Sequence, residues 1–280
     1  MTPGLGFALV AMLCFGAGDY FYKRAAVLGI EARQFIMLQA WVFCPGVTLY
    51  AWLTGTLHLH QGMLWGALAG LFSLAAFFNF ARSLETGAIS TNAPIFRLNF
   101  TITAALALVV LGESLTPVKA AALACALVAC WLLLAEPGVK RPSAESLTRV
   151  LIATVAMGIA NLLYKLGLRE GATPESMVAA QAWLFSSSAT LFAWLRYRHF
   201  RTNPSVWPYS TISAIAFAMG FVLMLHGLQV GQASVLVPVA QMGFVITAIL
   251  GAIVFREKLN GRKRLGLVVA AAALALFAGS

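Results

Sequence analysis

Gly87-Ala88-Ile89-Ser90-Thr91-Asn92-Ala93-Pro94-Ile95-Phe96-Arg97 and Gly231-Gln232-Ala233-Ser234-Val235-Leu236-Val237-Pro238-Val239-Ala240-Gln241 are two versions of one phrase. Each runs from a glycine through a serine and a proline to a long polar side chain at the same spacing. A shift of 144 positions superimposes them. The match continues through Phe100 and Phe244, Ile102-Thr103-Ala104 and Ile246-Thr247-Ala248, and Glu113-x-Leu115 and Glu257-x-Leu259. Upstream the shift is 142: Gly16 meets Gly158, Tyr22-Lys23 meets Tyr164-Lys165, and Gln39-Ala40-Trp41 meets Gln181-Ala182-Trp183. Ala51-Trp52-Leu53 meets Ala193-Trp194-Leu195 in the same frame, and a two-residue insertion near 196–208 joins the two shifts. Chance does not supply such a series. The chain is one unit written twice, 1–135 and 147–280, joined by a linker, 136–146, that holds Pro137, Gly138, Lys140, Arg141, Pro142 and Ser143.

Composition says where this unit lives. Of 280 residues, 61% are hydrophobic and 10% charged, with mean hydropathy +0.86. A soluble domain is about half apolar and about a quarter charged. The apolar residues come in blocks long enough to cross a bilayer as helices, at about 5–27, 34–53, 63–84, 88–110, 118–135, 147–168, 176–196, 207–228, 232–254 and 264–279. The short alternating segments of a β-barrel are missing. The expected fold class is an all-α integral membrane protein of ten transmembrane helices in two five-helix repeats. Apolar residues begin at Leu5 without a basic stretch before them, unlike a cleaved signal. Cys14, Cys44, Cys125 and Cys130 all lie in apolar runs and read as packing residues, not a disulfide framework. The net charge of +10 fits loops facing an anionic leaflet, and no nucleic-acid partner is expected.

Five helices per half is an odd number, so the second half enters the membrane from the opposite side. Inverted repeats are the architecture of many secondary transporters, with the solute site near the midplane. The loops after helices 1, 5, 7 and 9 hold Lys23, Arg24, Arg33, Lys140, Arg141, Arg149, Arg196, Arg198, Arg201, Arg256, Lys258, Arg262, Lys263 and Arg264. The opposite loops hold little beyond Lys119, Lys165 and Arg169, which places both termini outside by the positive-inside rule.

A charge within a bilayer costs a few kcal/mol and faces a cavity or a partner. Arg97 is the sharpest such signal, on one helix face with Ser90, Pro94 and Thr101. It reads either as a solute or gating residue or as the structural partner of a carboxylate such as Asp19. Pro94 frees the carbonyl of Ser90, and Pro238 does the same for Ser234, so each half carries one kinked helix toward the centre. Gln241 stands in Arg97's place in the second half. Asp19 and Lys23 lie one turn apart, with Asn161 and Lys165 as counterparts; the two lysines serve either as gates at opposite faces or as side chains snorkelling to headgroups. Gln39 and Trp41, with Gln181 and Trp183, line a pathway or form an interfacial belt. Asn92, Asn99 and Thr103 form a second polar strip, and Asn79, Arg82 and Thr86 another, with Glu85 as a loop-end partner for Arg82. His226 and Gln229 hold the equivalent end of helix 8. Glu113 and Glu257 are expected to cap the helix that follows each of them. Ala120–Ala122 and Ala270–Ala273 suit an outer scaffold or a homodimer contact. His58 and His60 read as loop residues. No metal-ligand set, nucleotide-binding loop or nucleophile with its base appears, so neither an enzyme nor a cofactor is expected.

The pattern Gly87-Ala88-x-Ser90…Pro94…Gly112-Glu113-x-Leu115-Thr116, with its second copy Gly231-Gln232-Ala233-Ser234…Pro238…Glu257-Lys258-Leu259, resembles the drug/metabolite transporter superfamily, EamA type. The resemblance implies a permease of the bacterial inner membrane, often an exporter, that moves amino acids, sugars, nucleotide-sugars or other metabolites through a central cavity. Arg97 departs from the apolar or small polar residue expected there. With Lys23 and Lys165 it makes the expected cavity basic, which favours an amino acid or organic acid, with Asp19 as counter-ion or proton site. The solute, a coupling proton and membrane lipid are the expected partners. A lipid scramblase with a sideways-open polar groove is the alternative, and a sealed sensor or assembly partner a third reading.

Overall fold

The computed structural model describes residues 2–30, 32–84, 86–135, 142–197, 204–254 and 260–280. Among these, every regular element is helical: α1 (Leu5–Val27), α2 (Ala32–Leu53), α3 (Met63–Ser83), α4 (Ile89–Arg97), α5 (Asn99–Leu111), α6 (Pro117–Leu134), α7 (Ala144–Arg169), α8 (Pro174–Tyr197), α9 (Trp207–Val230), α10 (Ala233–Gln241), α11 (Gly243–Val254) and α12 (Gly261–Ala278). Eight stretches, with α4–α5 and α10–α11 each taken as one, are long and apolar enough to cross a membrane. α8 and α12 fall outside that set; the first turn of α12 holds Arg262, Lys263 and Arg264.

Side-chain caps set several helix starts. The Thr116 hydroxyl accepts the N–H of Lys119 ahead of α6, with Pro117 in the first turn. Ser143 caps α7 through the N–H of Ser146, and Asn260 caps α12 through Lys263. Each supplies one of the acceptors that a helix start lacks.

The fourth and ninth spans of the sequence reading are each interrupted. α4 gives way to α5 at Leu98, and α10 to α11 at Met242. Both interruptions lie four residues beyond the proline. The N–H of Leu98 turns to the carbonyl of Ile95 at 3.0 Å, and that of Met242 to Val239 at 3.1 Å. These tightened turns pass over the proline's own carbonyl. That of Pro94 meets the Cys130 thiol at 3.9 Å, and the neighbouring Ile95 carbonyl accepts from the Thr154 hydroxyl at 3.1 Å. The expectation centred the kink on the carbonyl of Ser90; the structure centres it one turn later.

The halves pack reciprocally. α1 lies against α9, α10 and α11, and α7 lies against α3, α4 and α5; α2 meets α8 and α6 meets α12. Paired hydrogen bonds follow the repeat. The Trp41 indole donates to Thr190 at 3.0 Å, and the Trp183 indole to Thr48 at 2.9 Å. Thr103 reaches the carbonyl of Gly158 at 3.3 Å, and Thr247 that of Gly16 at 3.2 Å. At these two crossings the helices approach too closely for a side chain. A Cβ on Gly16 would lie 2.5 Å from Ile246 Cβ, and one on Gly158 2.6 Å from Ile102 Cγ2. Close approach over small residues is how helices associate where lipid supplies no hydrophobic drive. The alanine faces act likewise, with Ala122, Ala126, Ala129, Ala270 and Ala273 fully buried on α6 and α12.

Reciprocity is incomplete. Among the described residues α10 packs along α5 and α7 meets α9, whereas the equivalent pairs, α4 with α11 and α1 with α3, make no comparable contact. All nine residues of α10 are buried. The last third of α7 is almost wholly buried, but Asp19–Arg24 on α1 are half-exposed. Among the described residues, one end of the bundle is therefore tightly packed, the shut end, and the end along the last turns of α1, the open end, is less so. Gly158→Ala should destabilise the purified protein by about 1–3 kcal/mol through overpacking, read as a lower melting temperature. Gly6→Ala, with nothing within 4 Å of its added Cβ, should leave the melting temperature unchanged.

Candidate functional site

Arg97 is the last residue of α4, beside the interruption at Leu98. Its Nη2 donates to Asp19 Oδ2 on α1 at 2.5 Å, and its Nη1 to Gln241 Oε1 at the end of α10 at 3.4 Å. Three elements from both halves therefore meet at one guanidinium. The two positions where the repeat is unlike itself, Arg97 against Gln241 and Asp19 against Asn161, converge on this point through Arg97, Gln241 and Asp19. The side chains of Arg97 and Asp19 are 21% and 25% exposed, so the pair is not sealed inside the bundle. A monodentate pair also leaves donors on the guanidinium and a carboxylate oxygen for a solute.

Asn161, the counterpart of Asp19, lies elsewhere. It is buried on α7, and its Nδ2 reaches Asn99 Oδ1 at 3.4 Å and Thr103 Oγ1 at 3.3 Å. Asn99 in turn closes the carbonyl of Phe96 at 2.8 Å and so supports the turn that carries Arg97. Asn161 Oδ1 and Gln181 Oε1 are buried without a partner, while the buried hydroxyls of Tyr164 and Ser73 face each other. Such atoms carry a desolvation cost, and a water or solute relieves it.

The glutamines are placed by symmetry and distinguished by one substitution. Gln39 donates to Ser213 on α9 at 3.0 Å, and Ser213 donates to the carbonyl of Gly18 at 3.2 Å. On the other side Gln181 packs against Gly70 of α3, where the repeat puts Ala69 in place of Ser213. Ala69 offers no hydroxyl to accept the Gln181 amide N–H as Ser213 accepts that of Gln39, and the Gln181 oxygen is itself buried without a partner. Trp41 and Trp183 lie in the α2–α8 interface with their indole N–H groups engaged by threonines. Beside them run two repeat-related grooves, one along Cys44, Pro45, Thr48, Leu49 and Trp52 and the other along Ser186, Ser187, Thr190, Leu191 and Trp194. Both are shallow and largely apolar.

The two lysines differ. Lys23 is half-buried on the open side. Lys165 is 8% exposed and donates to the carbonyls of Leu228 and Gly231, so it does not snorkel. Glu113 departs from its expected role. It leaves α6, which Thr116 caps, and crosses to the N-terminus of α10, where it accepts from Ala233 N at 2.8 Å and Ser234 N at 2.9 Å. The left-handed Gly112 (φ +67°) ends α5 and turns the chain toward that contact. Glu85, Glu257, Lys258, Leu259, Lys140, Arg141, Arg198, Arg201 and Arg256 lie outside the described residues, as do the side chains of Ser90, Arg33 and Arg196.

Several polar contacts were missed from sequence. Asn92 donates to Ser83 O and to Ser146 Oγ, both at 2.9 Å, which ties α3, α4 and α7 together. His226 meets the buried Glu175 at 2.8 Å and stacks on Phe7. Arg149 reaches Asn79 at 3.2 Å. Each joins different helices, most of them far apart in the chain, and no local spacing announces them.

These features define a polytopic helical membrane protein built from two interlocked copies of one unit, with a charged point between them. A family model for the EamA-like transporter family matches twice, over residues 2–135 and 146–279. The chain belongs to that family, part of the drug/metabolite transporter superfamily, and is a multi-pass membrane transporter protein. No curated protein matches it. A crystal structure of another protein superposes with a TM-score of 0.81 at 15% identity, over 98% of this chain and 95% of that one; this likeness is one of fold.

Asp19→Asn and Arg97→Gln together give the first half the residues of the second. Either change alone strands a charge and should cost about 1–3 kcal/mol, less than for a fully buried pair because both groups keep some water. The double variant should recover much of that loss in a double-mutant cycle of thermal stability.

Proposed function

We propose that this chain is a secondary transporter that moves a small solute bearing a carboxylate, an amino acid or an organic acid, by alternating access between its halves. The carrying observation is the Asp19–Arg97 pair, reachable by solvent and set where α1, α4 and α10 meet. A guanidinium binds a carboxylate through a planar fork of donors. Its partner Asp19 offers the opposite charge at 2.5 Å. A zwitterion can replace the internal pair with two matched ones: its carboxylate on Arg97, its ammonium on Asp19. An organic acid satisfies Arg97 alone and leaves Asp19 to bind a proton, which is a route to coupling. Gln241 supplies a third polar contact, and Lys23 marks the open approach.

In this reading the chain crosses the membrane ten times, α8 and α12 completing the set, with the halves inverted and both termini outside. The open end is then the basic, cytoplasmic end, and the site faces the compartment from which an exporter of the bacterial inner membrane loads. Pro94 and Pro238 permit the bends that closure there and opening at the far end require. The unpartnered oxygens of Asn161 and Gln181 supply polar stations beyond the pair. The side grooves on α2 and α8 are apolar, which suits lipid tails and disfavours a headgroup track for scrambling.

Counterflow in proteoliposomes tests this. Arg97→Ala should lower flux of the carried solute roughly tenfold or more at unchanged folded yield, since tenfold corresponds to about 1.4 kcal/mol. Asp19→Asn should impair amino-acid flux more than organic-acid flux. Unchanged transport by Arg97→Ala would sink the assignment.

A further inference from the structure

Three charged side chains converge on the turn that joins α9 to α10. Glu113 Oε1 accepts the N–H of Ala233 at 2.8 Å; its Oε2 accepts the N–H of Ser234 at 2.9 Å and the Ser234 hydroxyl at 2.5 Å. These N–H groups open α10 and have no partner within the helix, and they form its positive end. Lys165 donates to the carbonyls of Leu228 and Gly231, the latter at 2.8 Å, where α9 ends. Lys119, 3% exposed, donates to Gln232 Oε1 and to the carbonyl of Ser114 at 2.8 Å. Arg169 holds the last carbonyl of α5, that of Leu111, at 3.3 Å. So α5, α6 and α7 are all tied to one short turn, and α10 lies shut against α5.

Among the described residues the opposite end shows no comparable α4–α11 contact. Yet the repeat carries the same residue types there. Lys23 holds the place of Lys165, Lys263 that of Lys119, and Glu257, outside the described residues, that of Glu113.

We propose that Glu113, with Lys165 and Lys119, is the latch of the shut end: its carboxylate on the N-terminus of α10 holds α10 against α5, and that end opens only when Glu113 releases Ala233 and Ser234. This deepens the transport reading and rests on it. Charge-assisted bonds to helix N–H groups are strong where the dielectric is low. A fully buried carboxylate there would be a permanent staple. Glu113 is only half-buried, so on release it regains water, and the latch is reversible. Lys165 works from the other side of the turn. It holds carbonyls at the end of α9 from α7, so the turn is gripped from a second helix and both grips must loosen for that end to open.

The test reads the shut end directly. The native Cys14, Cys44, Cys125 and Cys130 are replaced by alanine, and spin labels are placed through Leu115→Cys and Val230→Cys, at residues 53% and 59% exposed beyond α5 and at the end of α9. Pulsed electron paramagnetic resonance in nanodiscs then gives the distance distribution between them. The unaltered latch should give one dominant short distance. Glu113→Ala should raise the longer-distance population roughly tenfold, the effect of losing a charged hydrogen bond. Ser234→Ala, which removes one bond and keeps the helix, should raise it less. Both are measured on the monodisperse fraction, so misfolded protein does not enter. Distributions that superimpose on the unaltered latch in both variants would overturn the proposal. The readout needs no solute. Unchanged distances with intact flux remove the latch alone; changed distances with no flux for any amino or organic acid remove the transport reading.

Discussion

A guanidinium at the middle of an apolar helix has to be answered by something. Left facing hydrocarbon, Arg97 would cost about 2.5–3.5 kcal/mol on insertion scales. Asp19 answers it from α1 at 2.5 Å and Gln241 from α10 at 3.4 Å. That requirement fixes where three helices must meet and leaves charged groups at a place water reaches. The break at Leu98 follows the proline turn and brings Arg97 to the end of α4, where its side chain clears the helix. Asn99 and Asn161 hold that turn from behind. Much of the bundle's centre is arranged around keeping one charge partnered but reachable.

Around that point the two halves are interlocked more than juxtaposed. The heavy packing runs between halves: α1 against α9, α10 and α11, and α7 against α3, α4 and α5. Neither half closes a core alone, and the reciprocal Trp–Thr bonds between α2 and α8 carry the same logic to the periphery. In the proposed transport cycle such a structure passes between two near-equivalent arrangements, because what one half does at one end the other half can do at the other. Here the symmetry is broken in one direction. α10 is sealed on α5, and the end of α1 with Lys23 is open. A small bias in local contacts suffices to choose between such packings.

The repeat was the most legible feature of the chain, because prolines, glycines and Tyr-Lys or Gln-Ala-Trp triplets recur at fixed shifts without any knowledge of contacts. The pairing of Arg97 with Asp19 could also be weighed in advance, since an intramembrane charge has few possible partners. What stayed hidden was whatever depends on packing across the halves. Glu113 was expected to cap the helix after it, as local spacing suggests, and instead reaches α10, because Gly112 turns the chain and Thr116 already caps α6. Lys165 was equally a gate or a snorkelling residue by sequence; burial against α9 removes the second option. The glutamine pair looked symmetric, yet Ser213 accepts the Gln39 amide N–H while Ala69 offers Gln181 no such acceptor. His226 and Glu175, 51 residues apart, gave no sign of pairing.

The central claim is that the Asp19–Arg97 pair is where a charged solute exchanges for an internal partner. A ligand that binds only the folded state raises its apparent stability. Thermal unfolding of the purified protein, measured against amino acids, organic acids and sugars, addresses that claim most directly. Solutes with a carboxylate should raise the melting temperature, and Arg97→Ala should remove the rise. An equal rise with uncharged sugars, or a rise that survives Arg97→Ala, would contradict it.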